Sequence, residues 1–367
     1  MPDAFDFDFS RVDPARAREI LSGFGGKPTR LMEVCGTHTH QIARFGIKSL
    51  LPNGVQLQSG PGCPVCVTSA PALSCAIEIC KKRNVTLAVY GDMLRVPARL
   101  PADTLLNARA AGADVRVVFS AADAVELAAR EPSREVVFFA VGFETTAAGT
   151  AAALLDAARL ELPNFSMLSV LKRVEPALRL LLQSADLRCD GLLLPGHVAS
   201  IVGTDGFRFL EELGIPGVVC GFEAGDILLS LTMLLTMIRN GEVGVQNEYT
   251  RAVKSHGNAA ALRLIDRAFC PCADVWRGLG VVDGGGFALR DEFSRFDAWR
   301  RFGLDRLCPE PPAACRCADV ICARIAPRDC PMFGRTCTPS SPLGPCMVAS
   351  EGSCAAAYRY RAAEICV

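Results

Sequence analysis

The sequence predicts an α/β protein: two tandem α/β domains with parallel sheets, followed by a cysteine-rich C-terminal domain. Three observations predict it. Short apolar runs recur at 55–58, 85–89, 115–119, 136–141, 165–170, 191–194 and 217–219. They are β-branched or aromatic and mostly not alternating, which suits strands buried on both faces of a parallel sheet. Alanine-rich helical patterns at 121–130, 145–159 and 175–183 separate them, the alternation expected of α/β layers. After about residue 246 the character changes: 278–286 is glycine-rich, and from Cys308 to Cys366 cysteines mix with Pro, Gly and Ser. The chain accordingly divides into an N-terminal segment (1–30), a first α/β domain (31–144), a second (145–245) and a C-terminal domain (246–367). The last has few aliphatic residues for a core of its own and calls for a bound cofactor to organise it.

Composition narrows the function. Half of the 367 residues are hydrophobic, and Lys+Arg and Asp+Glu balance at 39 each. Nucleic-acid and anionic-membrane binders usually carry a basic excess, so neither partner is expected. The N-terminus is acidic and polar, with no apolar core of a signal peptide. The most apolar stretch, 227–238, is too short to span a bilayer and reads as a buried helix. A cytoplasmic location is expected. Eighteen cysteines exceed what packing needs. In a reducing compartment such a count points to metal, cluster or redox chemistry rather than to a disulfide framework.

Three constellations carry that chemistry. The first runs from Met32 to His40: Cys35, Thr37, His38, Thr39 and His40 lie within six residues, with Gly36 among them. A thiolate is a soft ligand for iron, imidazole binds metal or moves protons, and hydroxyls donate hydrogen bonds without charge. The second is Gly60-Pro61-Gly62-Cys63-Pro64-Val65-Cys66. Cys63 and Cys66 are spaced to form a disulfide or share a metal. They read as a redox pair, because Cys75 and Cys80 are wrongly spaced to complete a zinc ribbon. The third is the C-terminal set Cys330, Cys337, Cys346 and Cys354. Their spacing, with six to eight residues including Pro and Gly between successive cysteines, can wrap a [4Fe–4S] cluster, whose usual ligands are four thiolates. The spacing is not that of ferredoxins, so Cys315, Cys317 and Cys322 stay open as alternative ligands, and zinc as an alternative occupant.

Several polar residues directly follow predicted strands: Asp92, Glu144, His197 and Glu223. Functional loops of parallel sheets sit at these carboxyl ends, so the four are expected to rim a cleft. His256 lies in no constellation and reads as a solvated loop residue.

In this order the motifs resemble the HypD family: MEVCGTHTHQ at 32–41, GPGCPVCVT at 60–68, GDMLRVP at 91–97, GFETT at 142–146, PGHV at 195–198, GFE at 221–223, WRGLG at 276–280 and the stretch 333–356. The likeness covers about residues 30–360. It departs at Ala98-Arg99, where the family tends to Gly-Ser, and at Ala224, where it tends to Pro. The resemblance implies two Rossmann-like domains plus an iron–sulfur domain. It implies a scaffold that works with a HypC-like chaperone and a HypE-like cyanide donor. On that scaffold an iron receives two cyanides and one carbon monoxide, and the Fe(CN)2CO unit is destined for a hydrogenase large subunit. It makes Cys35 the iron ligand, Cys63 and Cys66 the redox pair, and the C-terminal cysteines the ligands of the [4Fe–4S] cluster. From the residues alone, a free-standing iron–sulfur disulfide reductase of a small substrate is the alternative.

Overall fold

The computed structural model describes residues 13–360; Cys366 and the first twelve residues of the N-terminal segment lie outside them. Two parallel sheets and one antiparallel hairpin organise the chain. The first sheet contains β1 (Thr29–Glu33), β2 (Val55–Ser59), β7 (Gly191–Pro195), β8 (Pro216–Cys220) and β9 (Gly244–Asn247), in the order β2-β1-β7-β8-β9. The second contains β3 (Val85–Val89), β4 (Asp114–Val117), β5 (Glu135–Gly142) and β6 (Phe165–Leu171), in the order β4-β3-β5-β6. All pairings within both sheets are parallel. The expected α/β class is therefore present, and the predicted strands and helices coincide with these elements to within a few residues.

The order of the chain through the sheets differs from a tandem arrangement. β5 and β6 stand on either side of residue 145 yet pair along seven residues, Val136↔Phe165 to Gly142↔Leu171. β1 pairs with β7 at Leu31↔Gly191, Met32↔Leu192 and Glu33↔Leu193. The second sheet is thus an insertion between β2 and β7 of the first. The physical reason is burial. β1 and β7 are short apolar strands that each need a neighbour on both edges, and they find it in each other across the inserted sheet's whole length of chain.

Residues 246–360 do not form a separate layer either. β10 (Phe269–Trp276) and β11 (Gly280–Leu289) pair antiparallel with an irregularity between Cys272 and Asp274. The hairpin closes on the second sheet, where Lys172 bridges Gly286 and the Ser169 hydroxyl donates to Phe287 O. The buried Lys172 Nζ ion-pairs with Asp274 at 2.9 Å and donates to Val275 O at 2.9 Å. Among the described residues, the chain after β11 carries only short helices, among them Ala298–Arg301, Cys317–Ile321, Pro345–Val348 and Ser353–Arg359. Its Val320, Ile321, Met347 and buried cysteines join the core that also holds Val65 and Leu73 and the strand residues Leu87 and Leu192. The segment thus packs in one core with residues of both sheets.

A second core packs the helices Ala121–Arg130 and Glu144–Arg159 on the other face of the inserted sheet. The helix Ala224–Asn240 covers the first sheet and contains the apolar run 227–238. No helix among the described residues is long and apolar enough to cross a membrane. Phe138 on β5 is fully buried and packs edge-on to Tyr90. Its truncation to Ala is expected to cost about 3–5 kcal/mol, read as a lowered urea midpoint.

Candidate functional site

In an open parallel sheet a crevice forms outside the carboxyl ends of strands where the strand order reverses direction. The first sheet reverses between β1 and β7, the second between β3 and β5. The segments that follow these four strands are Cys35–His40, Gly196-His197, Gly91-Asp92 and Phe143–Thr146. The predicted motifs occupy both switch points.

At the first switch point Cys35 is the N-cap of the helix Gly36–Arg44. Its Sγ faces the backbone N–H groups of Thr37 and His38, and its own N–H donates to Glu33 Oε2 at 3.1 Å. Burial pushes the Cys35 thiol up to about 12. Glu33 is itself buried and raised to about 7 by desolvation, against hydrogen bonds from Ser59, Thr39 and the Cys35 N–H. Thr39 is thus committed to Glu33, while Thr37 donates to Glu351 Oε1 at 2.6 Å. His38 is fully buried and held neutral, its pKa lowered to about 4 by desolvation. Its Nε2 lies 2.9 Å from Gly221 O. A carbonyl only accepts, so Nε2 carries the proton and the buried, unpaired Nδ1 keeps a free lone pair. Phe222 stacks on His38 at 4.7 Å and on the exposed His197 at 3.9 Å. His40 points away to the C-terminal segment, meeting Ser350 O and the Tyr360 hydroxyl.

The Cys63–Cys66 turn abuts this site. Gly60 N donates to Glu33 O and Gly36 N to Gly62 O, at 2.7 and 2.9 Å. A Cβ at position 62 would lie 2.2 Å from Cys35 N, and one at position 36 would lie 2.6 Å from Glu351 Cβ. Cys63 caps the helix Pro64–Val67, its Sγ accepting from Cys66 N at 3.2 Å. Cys66 is buried, and desolvation holds its thiol well above the usual range.

At the second switch point a cleft of about 770 Å³ is lined by Cys63, Asp92, Phe119, Thr145, Thr146 and Glu351, among others. Asp92 therefore rims a cleft, as expected. The other three polar residues do not join it there. Glu144 is buried, and its Oε1 accepts Val174 N at 2.8 Å, at the start of the helix Val174–Leu182. Glu223 is exposed at the N-cap of the helix Ala224–Asn240. His197 belongs to the first switch point. His256 forms an exposed pair with Asp205. Glu351 touches both switch points, yet sequence reasoning passed over it as part of a cysteine motif. Glu33 was missed likewise; a carboxylate inside an apolar strand was the available signal.

The C-terminal thiols gather beside Cys66. The Cys346 thiol contacts those of Cys66 and Cys317, and Cys317 contacts Cys315. Cys354 has Cys315, Cys317, Cys337 and Cys330 as charge neighbours, and Cys337 has Cys315 and Cys330. Gly344 makes room for this: a Cβ there would fall 2.4 Å from Cys315 Sγ. Cys322 turns away, donating to Gly278 O. Among the described residues no three His, Cys, Asp or Glu side chains converge closely enough to share one ion. An iron–sulfur cluster takes one thiolate at each of several irons and asks for a wider ring.

These features define an α/β protein whose carboxyl-edge site is built from buried thiols, imidazoles and carboxylates. Comparison with known proteins places that class. The HypD family model, described as the hydrogenase formation hypA family, matches residues 15–361. The chain is 42% identical over 360 residues to the hydrogenase maturation factor HypD of Azotobacter vinelandii, covering 95% of each. It is 42% identical over 348 residues to that of Escherichia coli K12, covering 94% of this chain and 92% of the relative. A putative hydrogenase expression/formation protein of Methanocaldococcus jannaschii is 38% identical over 333 residues, covering 90% and 92%. The chain belongs to the HypD family of hydrogenase maturation factors.

Two outcomes test the geometry. Gly62→Ala is expected to displace the Cys35 backbone and lower thermal stability, with the Cys35 thiol becoming accessible to alkylation in the native protein. Burial also raises Glu144 from 4.5 to about 7, with the Val174 N–H opposing it. In the unfolded chain it ionises near 4.5, in the folded chain only near 7. The folded state therefore loses stability as pH rises from about 4.5 to 7, by a few kcal/mol at most. Glu144→Gln is expected to flatten that decline in urea titrations between pH 4.5 and 8.

Proposed function

We propose that the chain is a scaffold on which the Fe(CN)2CO unit of [NiFe] hydrogenases is assembled. Its partners would be a HypC-like chaperone and a HypE-like cyanide donor, and the hydrogenase large subunit would finally receive the unit. One observation carries the reading: Cys35 stands at a sheet switch point, at the start of a helix, within a shell that excludes water. Iron is the cargo here. The Cys35 thiolate is one ligand, and the chaperone's thiolate is the second. Iron binding replaces the thiol proton, which removes the penalty that burial places on a bare thiolate. Glu33 and Glu351, held by Thr39 and Thr37, fix the loop on either side of Cys35. Neutral His38 accepts at Nδ1 without adding positive charge. Phe119, 93% exposed at the mouth of the neighbouring cleft, offers apolar contact to a partner.

A resident [4Fe–4S] cluster fits the donor set of the C-terminal thiols. Cys330, Cys337, Cys346 and Cys354 would hold it, with Cys315 and Cys317 as alternative ligands: Cys354 has Cys315, Cys317, Cys330 and Cys337 as charge neighbours and is itself one for Cys346, which also contacts Cys66 and Cys317. Bound there, the cluster supplies single electrons, whereas Cys63 and Cys66 together store two as a disulfide. Cys346 lies against Cys66, so the thiols form a continuous line between the two.

The cleft beside Cys63 favours a second reading, a disulfide reductase of a small substrate. Turnover without partner proteins would establish it.

Infrared spectroscopy on the anaerobically purified complex tests the scaffold. Cys35→Ala is expected to lose the cyanide and carbonyl bands while retaining the iron and sulfide of the cluster. Persistence of the bands in that variant refutes the assignment.

A further inference from the structure

Arg277 is buried in the strip of chain between the Cys63–Cys66 helix and the C-terminal thiols. It is 6% exposed. Its backbone N–H donates to Val67 O at 2.9 Å, and its Nε donates to Thr68 O at 3.1 Å. Nη1 lies 3.7 Å from Glu310 Oε2, and Glu310 Oε1 accepts Ala70 N at 2.8 Å. Nη2 is buried with no hydrogen-bond partner. The guanidinium lines a cavity of about 600 Å³ together with Glu310, Cys315 and Cys317, and both thiols feel its charge. The next residue, Gly278, has φ +86 and lies against Ala318, where a Cβ would fall 2.9 Å from Ala318 O. The strand end is thereby locked against the helix that starts at Cys317. A buried guanidinium always carries its charge, and an orphaned buried donor is costly unless something fills it.

From this geometry we infer that Arg277 is the positioning residue that sets the electrostatics of the C-terminal sulfur site. Its unpaired Nη2 is the donor kept for a sulfur of the bound cluster, and Glu310 trims its charge. The inference rests on the cluster reading above. Hydrogen bonds to sulfur and local net charge are the levers a protein holds over such a site's potential. Reduction adds one negative charge, so a fixed cation nearby favours the reduced form. Glu310, only partly buried, opposes it.

The test is a spectroelectrochemical titration of the full chain, purified anaerobically and followed by visible absorption and electron paramagnetic resonance. Iron and sulfide analysis of the wild type comes first: a chain without either refutes the cluster reading itself. Given a cluster, Arg277→Gln is expected to move the midpoint potential negative, Arg277→Lys to move it less, and Glu310→Gln to move it positive while keeping the Ala70 contact. A role confined to holding Thr68 would lower the melting temperature of Arg277→Gln and leave the potential unmoved. Unchanged potentials in Glu310→Gln and in either Arg277 variant overturn the inference. Should Arg277→Gln retain no cluster, Glu310→Gln decides it by the same criterion.

Discussion

The close approach of two backbones governs this molecule's site. The turn at residues 60–62 lies directly on the chain at Cys35, and two backbone hydrogen bonds, Gly60 N to Glu33 O and Gly36 N to Gly62 O, hold it there. No side chain fits at Gly62. Because of this contact the first thiol of the Cys-x-x-Cys turn and the thiol of the helix cap belong to one neighbourhood, although they come from the ends of two different strands. The C-terminal segment completes it: Glu351 packs on Gly36 and binds Thr37.

Desolvation sets the chemistry of what is gathered there. Burial raises Glu33 and the Cys35 and Cys66 thiols, and it lowers His38. Each shift favours the neutral form. The site is accordingly a set of protonated thiols and a neutral imidazole; in the proposed function their protons would leave as iron binds. Burial lowers the pKa of Lys172 as well, opposed by its pairing with Asp274, whereas the guanidinium of Arg277 keeps its charge, held by Thr68 O and Glu310.

Much of the fold was legible because its signals are local. Runs such as 85–89 and 136–141 are apolar on both faces, which marks interior parallel strands, and β3 matches its prediction end to end. β1 was overlooked because its apolar residues merge into the Cys35 motif, and β9 because Gly244–Asn247 is half polar. β10 and β11 carry Cys, Pro and three consecutive glycines, a composition that reads as loop. Their pairing is fixed by contact with β6, which no local pattern reports. Spacing does not separate Cys315 from Cys346, because the contacts of Cys315 with Gly344 and of Cys346 with Cys66 join separate segments of the chain. Their neighbours differ only in three dimensions.

The sequence by itself determined the α/β class, the high cysteine content and the motifs that mark the HypD family, because strand burial, helical periodicity and motif chemistry are written over a few residues at a time. Tertiary structure alone decided that the second sheet is inserted into the first, that Glu33 and Glu351 flank Cys35, and that Cys346 faces Cys66. Those facts depend on pairings between residues up to some three hundred positions apart, such as Thr37 with Glu351. They are selected by which surfaces can be buried together, and no local segment of the chain carries that information.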